Sequence, residues 1–226
     1  CSGPSTKETD DPPAQIIQDG ESWLCVPAGH GPFPAALYNH GGLGNVVGGS
    51  LEGTCKALAE AGFVAYSKQR RLTEGLTGHL EDVNEGLNTL VSSSEWNGNE
   101  LAILGFSRGG LLTLQLAKEE TDIVDAIVLM APAHGNGTMD LELKDLSSIG
   151  APVLLLVSEN DLYQADHVAI INAVKEALTD AEKEVEYILY PPYENDGHSL
   201  FFDVGDYYPD VVDFLGWVAL ESDIAW

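Results

Sequence analysis

Gly105-Phe106-Ser107-Arg108-Gly109 is the stretch that decides the fold of this chain. It follows the apolar run 101–104, which is typical of a buried strand, and precedes residues 111–117, whose leucines have helical spacing. A sharp strand-to-helix turn between two glycines lifts the serine hydroxyl out of the sheet. The helix that begins there directs its first N–H groups toward developing negative charge. The stretch therefore predicts a nucleophilic serine at position 107.

Apolar strands alternate with helix-like segments on both sides of this motif. We predict strands at residues 22–26, 35–39, 63–66, 101–104, 126–130, 152–157 and 185–190, and helices at 51–61, 79–92, 111–117, 166–178 and 208–219. This alternation indicates an α/β fold in which helices cover both faces of a mostly parallel central sheet. The segment between residues 130 and 153 is too short for a large cap domain, so an open active site is expected.

The length and charge of the chain limit its organisation and partners. It has 226 residues and a formal net charge of −26. This length favours a single domain at residues 15–226, preceded by a polar tail at residues 1–14. The excess of carboxylates argues against binding of nucleic acid or an anionic membrane through a basic face. No run of about 18 apolar residues is present, so no membrane-spanning helix is expected.

The three cysteines, Cys1, Cys25 and Cys55, lack the spacing of metal ligands. Cys25 and Cys55 are expected to be buried free thiols, with a disulfide between them as the alternative. Cys1 followed by a polar tail is typical of an exported protein with a lipid anchor, and this anchor would be the only membrane contact. The alternative is an arbitrary start of the sequence, in which case the protein would be cytoplasmic.

A nucleophilic serine needs a base, and the base needs an acid that orients it. Asp161 follows one buried-type strand and His198 follows the last strand, so both are expected beside Ser107 at the carboxyl edge of the sheet. His198 would accept the Ser107 proton and return it to the leaving group, while Asp161 would hold the imidazole in one tautomer. Glu159 and Asp196 are alternative acids.

Glycines after the strand at residues 35–39 predict an oxyanion hole. The sequence there is His40-Gly41-Gly42-Leu43, and glycines let backbone N–H groups approach a substrate oxygen closely. The N–H groups of Gly42 and of Arg108, which follows the nucleophile, are the expected donors, with Leu43 as the alternative to Gly42. His40 precedes the nucleophile in the chain and is expected to form structural hydrogen bonds.

Other residues near predicted strand ends are candidates for substrate contacts. One of the three arginines, Arg70, Arg71 and Arg108, would anchor a substrate carboxylate or carbonyl, with a salt bridge to one of the many carboxylates as the alternative. Candidates to line the pocket are Tyr38, His134 and Tyr163. The histidines expected at the surface are His30, His79 and His167.

In combination, these motifs resemble α/β-hydrolases of the dienelactone-hydrolase-like group, over nearly the whole chain from about Glu21. The resemblance rests on residues 31–35, His40-Gly41-Gly42, residues 105–110, Ser158-Glu159-Asn160-Asp161 and Gly197-His198-Ser199-Leu200-Phe201. It implies a cap-poor fold in which Ser107, Asp161 and His198 form a triad that acts on esters or lactones. Dienelactone hydrolases proper carry a cysteine nucleophile, so Ser107 favours a general serine carboxylesterase.

The sequence therefore predicts a serine hydrolase that cleaves small to medium carboxylic esters through an acyl-enzyme on Ser107. The same intermediate would serve lactones and thioesters. The expected partner is a small-molecule ester, and no metal or cofactor is predicted. Two alternatives stay open, namely a non-catalytic binding lipoprotein with this fold and a small serine peptidase.

Overall fold

The structure, a computed structural model, describes residues 11–42 and 46–222, with side chains described as far as residue 216. The strands are β1 (Gln15–Asp19), β2 (Ser22–Val26), β3 (Phe33–Asn39), β4 (Val64–Lys68), β5 (Trp96–Phe106), β6 (Ala126–Met130), β7 (Val153–Ser158) and β8 (Val185–Tyr190). The helices are α1 (Leu51–Glu60), α2 (His79–Val91), α3 (Arg108–Glu119), α4 (Thr138–Glu142), α5 (His167–Asp180) and α6 (Tyr208–Ser222), with a 3-10 helix at Gly197–Phe201.

All eight strands form one sheet in the order β1-β2-β4-β3-β5-β6-β7-β8. The strands from β4 to β8 in this order are parallel, whereas β2 pairs antiparallel with both β1 and β4. Every residue of β6 and β7 is buried, as expected for parallel strands that are covered on both faces. The predicted α/β-hydrolase fold with a mostly parallel sheet is confirmed.

Some elements differ from the sequence-based expectation. Strand β1 was not predicted because its side chains are all exposed, so it lacks the apolar alternation of a half-buried strand. It is held by antiparallel backbone pairing with β2. The short helix α4 was also missed, and His198 lies in a 3-10 helix that was expected to be a loop.

Cys25 and Cys55 form a disulfide, so the expectation of two free thiols is wrong. Helix α1 packs against β2, and this packing brings the two Cα atoms to 5.7 Å from each other. The bridge therefore joins β2, at the antiparallel edge of the sheet, to helix α1. Cys1 lies outside the described residues.

The parallel strands bring the predicted site residues to one edge of the sheet. Because β3, β5 and β7 run in the same direction, the segments that carry His40, Ser107 and Asp161 all leave the sheet at its carboxyl edge. The connection between β6 and β7 contains only the five-residue helix α4, which leaves this edge without a large cap. Within residues 11–42 and 46–222, no helix is both long and apolar enough to cross a membrane.

Candidate active site

Ser107 occupies a sharp turn between β5 and α3. Its backbone has φ of 53° and ψ of −118°, a conformation that is strained for a residue with a side chain. The flanking glycines allow the close approach of backbone that this turn requires. A Cβ atom at Gly105 would lie 2.3 Å from the Gly109 carbonyl oxygen, and one at Gly109 would lie 1.9 Å from the Asn39 carbonyl oxygen. The glycine-flanked motif is therefore a packing requirement of the turn.

The structure brings Ser107, His198 and Asp161 together. Nε2 of His198 lies 3.0 Å from Oγ of Ser107, and its Nδ1 lies 2.9 Å from each carboxylate oxygen of Asp161. A carboxylate only accepts, so Nδ1–H donates to Asp161 and Nε2 is left to accept the serine proton. Asp161 is fully buried and the imidazole nearly so. This arrangement can move a proton from the hydroxyl to the imidazole while the carboxylate holds the tautomer.

Neither of the alternative acids contacts the imidazole of His198. Glu159 is exposed, and the carboxylate of Asp196 accepts the backbone N–H of His198 at 3.0 Å. Asp196 thereby caps the 3-10 helix and orients the backbone that carries the base. Asp161 is held separately, because its carbonyl accepts the His167 N–H and its own N–H donates to the Ser158 carbonyl.

Four rings pack around the imidazole of His198, one of which is Phe202, edge-on at 6.1 Å between centroids. The ring of Phe106 is 4.7 Å from it between centroids, that of Tyr163 is 5.1 Å away and nearly parallel, and that of His167 is 4.4 Å away. His167 itself is buried, and its ring nitrogens face the backbone carbonyls of Pro132 at 3.1 Å and Tyr163 at 2.9 Å. These contacts fix the plane of the base.

Two of the three histidines that were expected at the surface are buried instead. His167 packs on the base, and Nε2 of His79 lies 2.8 Å from the Thr73 hydroxyl. A lone histidine at a predicted helix start carries no signal of tertiary burial, so the sequence could not distinguish these two from His30, which is exposed.

The nitrogen and oxygen atoms of Asp161, His167 and His198 lie close enough together to hold a single metal ion, all within 4.8 Å of one another. No pair of these residues has metal-ligand spacing in the sequence, so only the fold reveals the cluster. His198 hydrogen-bonds to Asp161 and to Ser107, and one ring nitrogen of His167 donates to a backbone carbonyl. The positions of Asp161 and His198 are thus explained by hydrogen bonds.

Two backbone N–H groups beside Ser107 suit an oxyanion hole. The Arg108 N–H begins α3, and Gly42 lines the same cavity as Ser107. Among the described residues, neither N–H group donates a hydrogen bond. Gly42 has φ of 97°, and a Cβ atom there would lie 1.9 Å from the Val46 carbonyl oxygen, so only glycine fits. Leu43 lies outside the described residues.

A cavity of about 820 Å³ opens over Ser107 and His198. Its apolar wall contains Leu76, Leu111, Ile170 and Phe202. Its polar and charged wall contains Glu74, Arg108, His134, Tyr163, Gln164 and Asp166. The guanidinium of Arg108 donates to the backbone carbonyls of Glu74 and Gly75 at 3.1 and 3.0 Å. His134, Tyr163 and Arg108 thus lie where substrate contacts were predicted.

The other three predicted contact residues do not line the cavity, which corrects the prediction for Tyr38, Arg70 and Arg71. Tyr38 is buried in the core. Arg71 forms a two-pronged ion pair with Asp82, in keeping with the alternative of a salt bridge. Arg70 and Arg71 follow β4. Strand β3 lies between β4 and β5, so it separates both arginines from Ser107.

His40 has the structural role that the sequence indicated. It is buried, and its Nε2 accepts the backbone N–H of Arg70 at 3.1 Å. Burial, together with the charge of Arg70, lowers the pKa of His40 to about 3, so the ring is neutral at physiological pH.

Comparisons with known proteins identify relatives of this chain. The chain is 33% identical over 156 residues to human (Homo sapiens) acyl-coenzyme A thioesterase 2, mitochondrial, covering 66% of this chain and 31% of the relative. The identity to the same enzyme of Mus musculus is 29% over 187 residues, covering 80% and 38%. The chain thus spans about a third of the length of the curated relatives that it matches.

Solved structures show the same fold at low sequence identity. Esterase B from Lactobacillus rhamnosis superposes with a TM-score of 0.71 at 14% identity, covering 94% of this chain and 87% of the other. Dipeptidyl peptidase 4 from Porphyromonas gingivalis gives 0.64 at 17% identity, covering 89% and 35%. Residues 68–210 match the sequence profile described as the Dienelactone hydrolase family. The chain, with its glycine-flanked serine inside that matched segment, belongs to the dienelactone hydrolase family.

Proposed function

We propose that this chain is a serine hydrolase that cleaves carboxylic esters through an acyl-enzyme on Ser107. The observation that supports this most directly is the 3.0 Å contact between His198 Nε2 and Ser107 Oγ, made at the wall of an open cavity. We further propose that residues 15–226 form one catalytic domain behind a polar tail at residues 1–14. The continuous sheet from β1 to β8 supports this division.

The mechanism follows from the groups around Ser107. The hydroxyl oxygen attacks the ester carbonyl while His198 takes its proton, and the resulting imidazolium faces the Asp161 carboxylate. The N–H groups of Gly42 and Arg108 stabilise the negative charge that develops on the carbonyl oxygen. His198 then protonates the departing alcohol, and a water molecule repeats the sequence to release the acid.

The walls of the cavity favour neutral substrates of small to medium size. Leu76, Leu111, Ile170 and Phe202 provide apolar surface for an acyl chain. The carboxylates of Glu74 and Asp166 lie at the same cavity, and the chain as a whole carries −26 charges. These charges repel an anionic substrate, since like charges raise the free energy of the complex.

Thioesters are a second candidate class, because the relatives with the highest identity quoted above are acyl-coenzyme A thioesterases. The same acyl-enzyme forms from an ester or a thioester, and only the leaving group differs. Coenzyme A carries several phosphate charges, which the acidic chain repels. We therefore expect uncharged N-acetylcysteamine thioesters to be better substrates than the matching coenzyme A thioesters at low salt.

A fluorophosphonate probe tests the proposed function. Wild-type protein is expected to be labelled at Ser107 and to hydrolyse p-nitrophenyl acetate and butyrate, whereas Ser107→Ala is expected to do neither while keeping its fold. Absence of labelling and of turnover in the folded wild type would favour a non-catalytic binding protein. Faster cleavage of aminoacyl p-nitroanilides than of esters would favour the small peptidase.

A further inference from the structure

Arg70 is a buried cation. Its side chain is 2% exposed, and no described carboxylate lies within ion-pair distance of it. Among the residues that the structure describes, its Nε and Nη1 atoms have no hydrogen-bond partner. Burying a charge without a partner costs several kcal/mol in general. Burial, together with the nearby Arg108 guanidinium, accordingly lowers the pKa of Arg70. The free-energy cost of burying this charge indicates a functional role for Arg70. That role is not direct substrate binding, because Arg70 does not line the cavity.

One hydrogen-bond donor of the Arg70 guanidinium reaches a backbone carbonyl. Nη2 of Arg70 lies 3.4 Å from the Gly41 carbonyl oxygen. Nδ1 of His40 lies 2.5 Å from the same oxygen, and the Gly48 N–H donates to it at 3.1 Å. Because Nε2 of His40 accepts the Arg70 N–H, Nδ1 carries the proton of the neutral ring and is a donor. Three donors, one of them cationic, therefore converge on the Gly41 oxygen.

This carbonyl belongs to the same peptide unit as the Gly42 N–H. In a planar trans peptide the C=O and N–H bonds point in opposite directions, so fixing the oxygen also aims the N–H. Donors on the oxygen also polarise the peptide and make its N–H a stronger donor. The peptide lies against the nucleophile, because a Cβ atom at Gly41 would be 3.0 Å from the Ser107 Cβ.

We propose that Arg70 is a positioning residue, which orients and polarises the Gly42 N–H of the oxyanion hole through the Gly41 carbonyl. This inference rests on the proposed function of Ser107 as an acylated nucleophile. The positive charge of Arg70 lies on the carbonyl side of the Gly41–Gly42 peptide, and the oxyanion binds on the N–H side. Arg70 therefore stabilises the oxyanion without touching substrate. Its effect is greatest when the carbonyl oxygen of the substrate becomes negative, so it should act on kcat more than on KM.

The test compares Arg70→Met with the matched control Arg71→Met, which removes the neighbouring arginine and its ion pair with Asp82. We expect Arg70→Met to lower kcat for p-nitrophenyl butyrate by about 10- to 100-fold with KM changed by less than about twofold. Its affinity for a trifluoromethyl ketone, which forms a tetrahedral adduct on serine, should fall by the same factor. Arg71→Met should change each of these values by less than about twofold.

Arg70→Lys provides a readout that a purely structural role would not change. The titratable and charged groups around this position are Arg108, His40, His79, Tyr38 and Asp82. Burial lowers the pKa of either side chain at this position, but the pKa of lysine starts about two units below that of arginine. Arg70→Lys should therefore lose kcat at a pH about two units lower than the pH at which the wild type loses it.

The outcomes separate this inference from the proposed function. If the wild type is not labelled by fluorophosphonate, the proposed function fails and the inference fails with it. If the wild type is labelled but folded Arg70→Met keeps kcat within about twofold, only the inference is wrong. If Arg70→Met does not fold, an alkaline pH profile of Arg70→Lys that matches the wild type overturns the inference on its own.

Discussion

The imidazole of His167 packs on the imidazole of His198, with the ring centroids 4.4 Å apart and the planes inclined by 37°. Backbone carbonyls face both nitrogens of His167, so its ring cannot turn without losing a hydrogen bond. Burial lowers the pKa of His167. His167 thus forms a rigid wall beside the imidazole of His198.

Replacing His167 tests whether this wall acts through its shape. His167→Ala should lower kcat for p-nitrophenyl acetate by about tenfold, because an aromatic contact of this kind contributes about 0.5–1.5 kcal/mol. His167→Phe keeps the ring and should stay within about threefold of the wild type. Steady-state kinetics of both folded variants show whether the shape of the ring or its nitrogen atoms matter. Equal losses in the two would point instead to a role of the His167 nitrogens, such as holding a metal ion.

Asp161 should be the only acid whose carboxylate supports the base. Asp161→Asn keeps the shape of the side chain but favours the wrong tautomer of His198, so kcat should fall by about 10⁴-fold. Glu159→Gln and Asp196→Asn are matched controls, and each should keep kcat within about threefold, since neither carboxylate touches the imidazole. A larger loss in Asp196→Asn than in Asp161→Asn would reverse the assignment.

The close approach of backbone at Gly109 predicts a large effect on stability. In Gly109→Ala, the new methyl group would lie 1.9 Å from the Asn39 carbonyl oxygen, and β5, α3 and β3 would have to separate. Unfolding in urea should show a loss of about 3 kcal/mol or more. Gly150→Ala is the control, because nothing lies within 4 Å of the added atom there, and its stability should change by less than about 0.5 kcal/mol.

Buried His40 should make the protein less stable in acid. The pKa of His40 is about 3 in the folded chain and about 6.5 in the unfolded chain, so the unfolded chain binds a proton at a higher pH than the folded chain does. The contribution of His40 to stability is therefore complete above about pH 6.5 and declines as the pH falls toward 3. Linkage gives a loss of about 2 kcal/mol between about pH 7.5 and 5 from this residue. The measurement compares wild type with His40→Asn at both pH values, because titration of the carboxylates is common to the two. Identical pH dependence of unfolding would contradict it.

The Cys25–Cys55 bridge should contribute to stability chiefly by restricting the unfolded chain. It closes a loop with a sequence separation of 30 residues, for which chain entropy gives about 3–4 kcal/mol. Cys25→Ala with Cys55→Ala should lower the free energy of unfolding by about this amount, and dithiothreitol should then have no further effect. A stability of the wild type that dithiothreitol leaves unchanged under unfolding conditions would show that no bridge had formed.

Much of the fold was accessible from the sequence because buried strands have a strong local signal. The strands at 22–26, 126–130 and 185–190 were predicted with the bounds that the structure gives. Strand β1 was missed because its stability comes from backbone pairing with β2, while none of its side chains is buried. Propensity and periodicity report on burial, so an exposed edge strand leaves no trace in them.

The residues of the candidate site were also predicted only in part from the sequence. Ser107, Asp161 and His198 were named from their motifs, because the carboxyl ends of parallel strands must meet at one edge. The structure places them in contact, and their catalytic roles stay predictions until the variants are measured. The role of Arg70 and the burial of His167 depend on which way a side chain turns after its strand or turn ends, and a sequence pattern does not specify that.

The strained backbone of Ser107 has an evolutionary consequence. With φ of 53°, this position would accommodate glycine more comfortably than serine, so the substitution that best relaxes the turn also deletes the nucleophile. Selection for heat resistance and selection for turnover therefore favour opposite residues here. In a relative that no longer needs its activity, glycine at this position would relax the turn. Such a relative should be more stable than this protein and inactive.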